Sequence, residues 1–141
     1  MEKTMKEYLT EAMIAFDGER SSQEKYLAVF FALIDVGMAE EKLELLMQTG
    51  RGDDDAICCA PYRGVTRGGE KLFYIFTETK GRGFSDGLSA KEVTVRQICN
   101  LVAENDEVDF AVFSCPTGES VTFSRSDIGL LLQHLNSPIN P

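Results

Sequence analysis

The chain has 141 residues, 43% of them hydrophobic and 26% charged, the length and balance of one ordinary globular domain. Its 14 basic and 23 acidic side chains leave a net charge of −9, a field that repels a phosphate backbone and argues against nucleic-acid binding. The longest apolar run, Tyr26 to Ile34, is nine residues, and a bilayer needs roughly 20.

The opening segment MEKTMKEYLTEAM has no basic-then-apolar plan, so it does not read as a signal peptide, and the expected setting is the cytoplasm. Met5, Leu9, Ala12, Met13 and Phe16 recur at spacings of three and four, which predicts an amphipathic helix over 4–16 that ends at Gly18. Ser21 and Glu24 form a capping-box pair ahead of the apolar run, predicting a helix over 22–36, with a buried strand over 26–34 as the alternative. Gly37 reads as an interruption. Ala39 to Gln48, rich in helix formers, then reads as further helix that stops at Gly50.

Arg51 to Asp55 is a polar loop. Ala56 to Tyr62 and Leu72 to Thr77 read as two strands of a hairpin joined by the glycine-rich Arg63 to Glu70. Lys80 to Leu88 reads as a loop. Ser89 and Glu92 repeat the capping-box spacing before a helical face of Val95, Ile98, Cys99 and Val102, with Asn105 as its stop. Phe110 to Cys115 is apolar on both faces, as expected of a central strand. Pro116-Thr117-Gly118 is turn chemistry. Val121 and Phe123 mark a fourth strand, and Ser124 with Asp127 caps a last helix whose inner face is Ile128, Leu131, Leu132 and Leu135.

The expected class is therefore α+β in a single domain over 1–141: N-terminal helices, then two strand-strand-helix units forming one roughly four-stranded sheet covered by helices. Leu72 to Thr77, the helix near Val95 and Ile98, Val112 to Pro116, Val121 to Ser124 and Ile128 to Leu132 together resemble the SseB protein N-terminal domain over residues 55–135. Phe76-Thr77 matches the family's first mark, Cys115-Pro116 stands where Asn-Pro is commoner, and Lys80 to Leu88 replaces a helix with aromatic anchors. The resemblance implies the fold. It implies no catalytic residue, because the family has no settled biochemical activity.

The residues that carry chemistry are few. Cys58, Cys59, Cys99 and Cys115 contain no C-x-x-C, so reduced, mostly buried thiols are expected. Cys115 ends a strand before a turn and is the candidate nucleophile, but the C-x5-R spacing of a phosphatase loop fails because position 121 is Val121. A lone histidine, His134, builds no multi-histidine metal site. Asp53 to Asp55 lacks the alternating oxygen ligands of a calcium loop. Neither a cofactor nor a metal is expected. Arg63, Arg67 and Arg82 converge on an anion if the two glycine-rich loops meet. The leading expectation is a non-enzymatic protein-interaction module. It would bind a protein partner or its own copy through Met5, Tyr8, Leu9 and Met13 of the first helix. An anion-binding domain and thiol chemistry at Cys115 are the alternatives.

Overall fold

The helix expected over 4–16 is α1 (Met5–Asp17). Thr4 Oγ1 accepts from the Glu7 N–H at 3.2 Å. The carboxylate of Glu41, distant in sequence, accepts from the Met5 and Lys6 N–H groups at 2.9 and 3.0 Å. Amides that no helical carbonyl can reach are thus held by an anion at the positive end of the helix dipole. Glu41→Ala is expected to destabilise the chain by about 1–2 kcal/mol, read as a lower urea midpoint, with Glu41→Gln losing less because it keeps an acceptor. An unchanged midpoint would remove Glu41 from the forces holding α1.

The computed structural model describes residues 3–51, 57–79, 84 and 87–136. Asp53 to Asp55 and Arg82 lie outside them. The long apolar run forms a helix, α2 (Gln23–Met38), and its cap is Ser22, whose Oγ accepts from the Lys25 N–H at 3.2 Å, one residue later than the spacing predicts. Gly37 does not interrupt it. A Cβ there would lie 2.7 Å from Leu135 Cδ2 and 3.3 Å from Val95 Cβ, so this glycine lets neighbouring helices approach closely. The helix ends where Glu40 takes a left-handed φ of 57°.

The expected helix over 39–48 is a strand, β1 (Leu43–Arg51). Leu43, Leu45 and Met47 project to the helix side while Glu44 and Gln48 project to the other, a period of two that outweighs the helix propensity of the segment. Along one edge of β1 runs β5 (Leu88–Val93), antiparallel, from Leu43 opposite Val93 to Gln48 opposite Leu88. The other edge is shared. Glu44 and Leu45 pair with Phe76 and Ile75 of β4 (Lys71–Phe76), and Met47 to Arg51 pair with β2 (Ile57–Pro61). Strands β1 and β4 therefore diverge as a fork from a two-residue pairing, and β2 and β3 (Arg63–Val65) fill it as one bent strand. The bend is at Tyr62, whose N–H still reaches Leu46 O at 2.9 Å. Beside it the Tyr74 ring covers Gly64, where a Cβ would come within 2.5 Å of the ring.

Next to β4 lies β6 (Val108–Ser114), parallel to it, and β7 (Ser120–Ser124) closes the sheet antiparallel to β6. The fold is α+β, with four helices and a mixed sheet among the described residues. That sheet has seven described strands rather than about four, because β1, β3 and β5 add to the strands expected. Ser89 and Glu92 lie in β5. The capping box that starts α3 (Val95–Glu104) is Thr94 with Gln97. The last helix, α4 (Arg125–Asn136), begins as expected, with Ser124 Oγ accepting from the Asp127 N–H at 3.2 Å.

The main core lies between the helices and one sheet face, with Leu9, Leu33, Phe73, Phe113, Phe123 and Ile128 all 2% exposed or less. Each such side chain contributes roughly 1.5–3 kcal/mol through burial. Phe123 is its aromatic hub, with ring centroids 5.1 Å from Tyr26, 5.6 Å from Phe113 and 6.3 Å from Phe30. Tyr26 Oη donates to Asp127 at 2.6 Å, tying α2 to α4, and burial with that bond raises the phenol pKa. Leu46, Leu72 and Phe76 are buried on the opposite sheet face, where Phe84 packs 6.0 Å from Phe76.

Candidate functional site

The expected sites disperse. The Arg63 guanidinium donates to Asn105 Oδ1 at 2.9 Å and is ion-paired with Glu107. Arg67 is exposed in the turn between β3 and β4, and Arg82 lies outside the described residues. Of the first-helix surface, Leu9 and Met13 are fully buried in the core, Met5 is half-buried against it, and Tyr8 alone is exposed. Helical periodicity identified the apolar face of α1 correctly, but that face is covered by the same chain.

Cys115 is buried, and its thiol donates to the Glu119 carboxylate at 3.1 Å and lies 3.5 Å from Thr117 Oγ1. Nucleophilic cysteines sit beside cations or helix N-termini. This one faces an anion whose own pKa is lowered by the bonds from Thr117 and Cys115. His134 is half-buried, its ring edge-on to Phe30 at 5.8 Å. Among the described residues, no three of His, Cys, Asp and Glu are grouped to hold a metal ion.

Two of the cavities among the described residues bear on function. One, of about 470 Å³, lies between α1 and the segments after β4 and β6, lined by Lys6, Glu7, Thr10, Glu11, Glu78 and Pro116. Its charged rim is already partly engaged, since Lys3 Nζ pairs with Glu11 at 2.6 Å. The other, of about 310 Å³, is a groove beyond α3. Its floor is three adjacent strands: Leu45 and Met47 of β1, Cys59 and Pro61 of β2, and Lys91 and Val93 of β5. Registers of Met47 with Pro61 and Leu45 with Lys91 put these on the helix-side face. One wall is α3, through Gln97, Ile98 and Leu101. Helix α3 turns its buried face toward α2 and α4, and among the described residues it is the helix that lines the groove.

The groove has a definite chemistry. Six of its lining residues are apolar, and its three polar side chains are Cys59, Lys91 and Gln97. Gln97 Oε1 is occupied by the Thr94 N–H at 2.8 Å, which leaves its amide hydrogens to donate. Lys91 is exposed and has no ion-pair partner among the described residues. Cys59 is exposed. Side chains here offer donors and apolar surface, and no carboxylate. The groove was not anticipated because two of its strands, β1 and β5, were read as helix and as helix start. No family model, curated protein or solved structure matches the chain.

Proposed function

We propose that this chain is a non-enzymatic, cytoplasmic interaction module that receives an apolar, carboxylate-bearing segment of a partner protein in the groove between α3 and β1, β2 and β5. The observation that carries the reading is the pairing of apolar lining with donor-only side chains, which suits aliphatic or aromatic anchors flanked by Asp, Glu or a C-terminal carboxylate. The rim of the groove supports it too, because Pro61 and Leu101 are only half-buried beside exposed Cys59 and Lys91, and an apolar segment lying beside α3 would cover them. An SseB-like ancestry for residues 55–135 belongs to the same proposal and rests on the motifs quoted above.

A random peptide library selected against the full chain is expected to return sequences that combine two or three apolar residues with an acidic one. These peptides should slow alkylation of exposed Cys59. Lys91→Glu should weaken them about tenfold or more, and Leu101→Asp should abolish binding. Lys91 is exposed, so the first variant keeps the fold and stands as the control for the second. Peptides that bind equally well to both variants, or leave Cys59 reactivity unchanged, would overturn the assignment.

A further inference from the structure

The groove floor has two unlike ends, and the strand registers fix how far apart they lie. Met47 of β1 pairs with Ser89 of β5 and with Pro61 of β2, so β5 and β2 flank β1 on opposite edges. Lys91 stands level with Leu45 on one edge, and Cys59 stands level with Thr49 on the other. The step from Leu45 to Thr49 along β1 is about 13 Å, and the step across from β5 to β2 is about 10 Å. The two side chains therefore start from diagonal corners about 16 Å apart. Helix α3 repeats the gradient. Gln97 is tied to the end of β5 through the Thr94 N–H and turns its amide hydrogens outward, and the apolar Leu101 follows one turn later. The β5 end is thus cationic and donating, and the β2 end is apolar with a thiol at its corner.

We infer that the partner segment crosses this floor in extended form, with its acidic residue against Lys91 and the Gln97 amide and its apolar anchor about five residues away, beside Pro61, Leu101 and Cys59. The inference rests on the groove being the partner site. Complementary charge assigns the acid to the β5 end. Lys91 is the charged side chain of the lining and has no ion-pair partner among the described residues. The carboxylates of Glu44 and Glu92, paired across β1 and β5, project from the other sheet face and leave the Lys91 charge unanswered. Volume selects the extended form. One helical turn, about 10 Å across and 5.4 Å long, fills roughly 420 Å³, more than the groove's 310 Å³ or so. An extended chain covers about 3.3 Å per residue, which sets the spacing near five. A helix laid over the rim would need about eleven residues for the same span. Lys91 then decides specificity, because it accepts an acid only at that distance from the anchor.

A disulfide-trapping series on the full chain reads the spacing. The probes are leucine–serine peptides of about fourteen residues with blocked ends, one aspartate, and one cysteine held as its mixed disulfide with thionitrobenzoate. The Cys59 thiolate attacks the peptide sulfur, a new disulfide forms and thionitrobenzoate leaves, so its absorbance gives the rate. With the cysteine moved stepwise away from the aspartate, the rate is expected to peak at a spacing of about five, roughly tenfold above spacings of about two and about eleven. Cys59→Ser should abolish the peak. Lys91→Glu, an exposed change, should lower it about tenfold, and peptides with lysine in place of aspartate should restore it in that variant. A rate indifferent to spacing, a peak near eleven, or a failed charge swap would overturn this seating. If Leu101→Asp, shown folded by circular dichroism, still abolished trapping in that case, the groove would stand as the partner site and only the seating would fall. Trapping that Leu101→Asp leaves unchanged would remove the groove itself, and this inference with it.

Discussion

Phe123→Ala is expected to remove about 3–5 kcal/mol of stability, a large share of the 5–15 kcal/mol that holds a domain of this size together. Phe123 is fully buried, and its ring meets Tyr26 and Phe30 of α2 and Phe113 of β6. Truncation leaves a void that these rings, pinned by strand pairing and by the Tyr26–Asp127 bond, cannot close. Urea denaturation followed by circular dichroism measures the loss. Phe123→Leu, which retains most of the volume, should cost distinctly less. A loss under about 1 kcal/mol for the alanine variant would mean that the helical layer does not depend on this aromatic contact.

The second large effect is a loss of stability in alkali. Burial inside α3 pushes the Cys99 thiol up to about 12, from an ordinary value of 9.0. Below pH 9 the thiol is protonated in both folded and unfolded chains, and its contribution is fully present. Above that, the unfolded chain releases the proton while the folded chain retains it. Unfolding is then favoured by about 1.4 kcal/mol for each pH unit until the folded thiol also ionises. Tyr26 acts with the same sign at higher pH, because burial and the Asp127 bond raise its pKa too. Urea midpoints measured from pH 8 to 10 should fall for the wild type and fall less steeply for Cys99→Ala, although the variant starts lower because it opens a cavity. Equal slopes in the two proteins would show that the buried thiol is not the source.

Most elements were legible because local signals and tertiary packing agree. The three-and-four spacing around Leu9 and Met13 gave α1, Ser124 with Asp127 marked the start of α4, and the two-sided apolar pattern of Phe110 to Cys115 gave the interior strand β6. Strand β1 was misread because Glu41 to Leu46 has high helix propensity and because Leu46 breaks the alternation. Leu46 is apolar because the outer sheet face has a small buried layer of its own with Leu72 and Phe76, and periodicity along one strand carries no sign of that layer. Ser89 and Glu92 imitate a capping box inside β5, while the true box uses Thr94 and Gln97. With β1 and β5 misplaced, the groove could not be assembled from sequence, since its floor needs both. The apolar run of α2 does not by itself tell the buried Val29, Phe30 and Leu33 from the exposed Leu27 and Phe31.

The fork between β1 and β4 leaves two separate links between the halves of the sheet. Only Glu44 with Phe76 and Leu45 with Ile75 join the two strands directly, and the Glu44 carboxylate reinforces that junction by accepting from the Thr79 N–H and Oγ1, both at 2.8 Å. On one side are β5 and the upper part of β1 with β2, bearing the groove floor. On the other is the block of β4, β6 and β7 beneath the helices. Local openings spread along cooperative units and halt where few bonds cross. Because β2 runs through Tyr62 into β3, and β3 pairs with β4 from Arg63 to Val65, the groove floor is tied to the block of β4, β6 and β7 at a second place, and any opening of the floor must break those pairs as well as the two at Glu44 and Leu45.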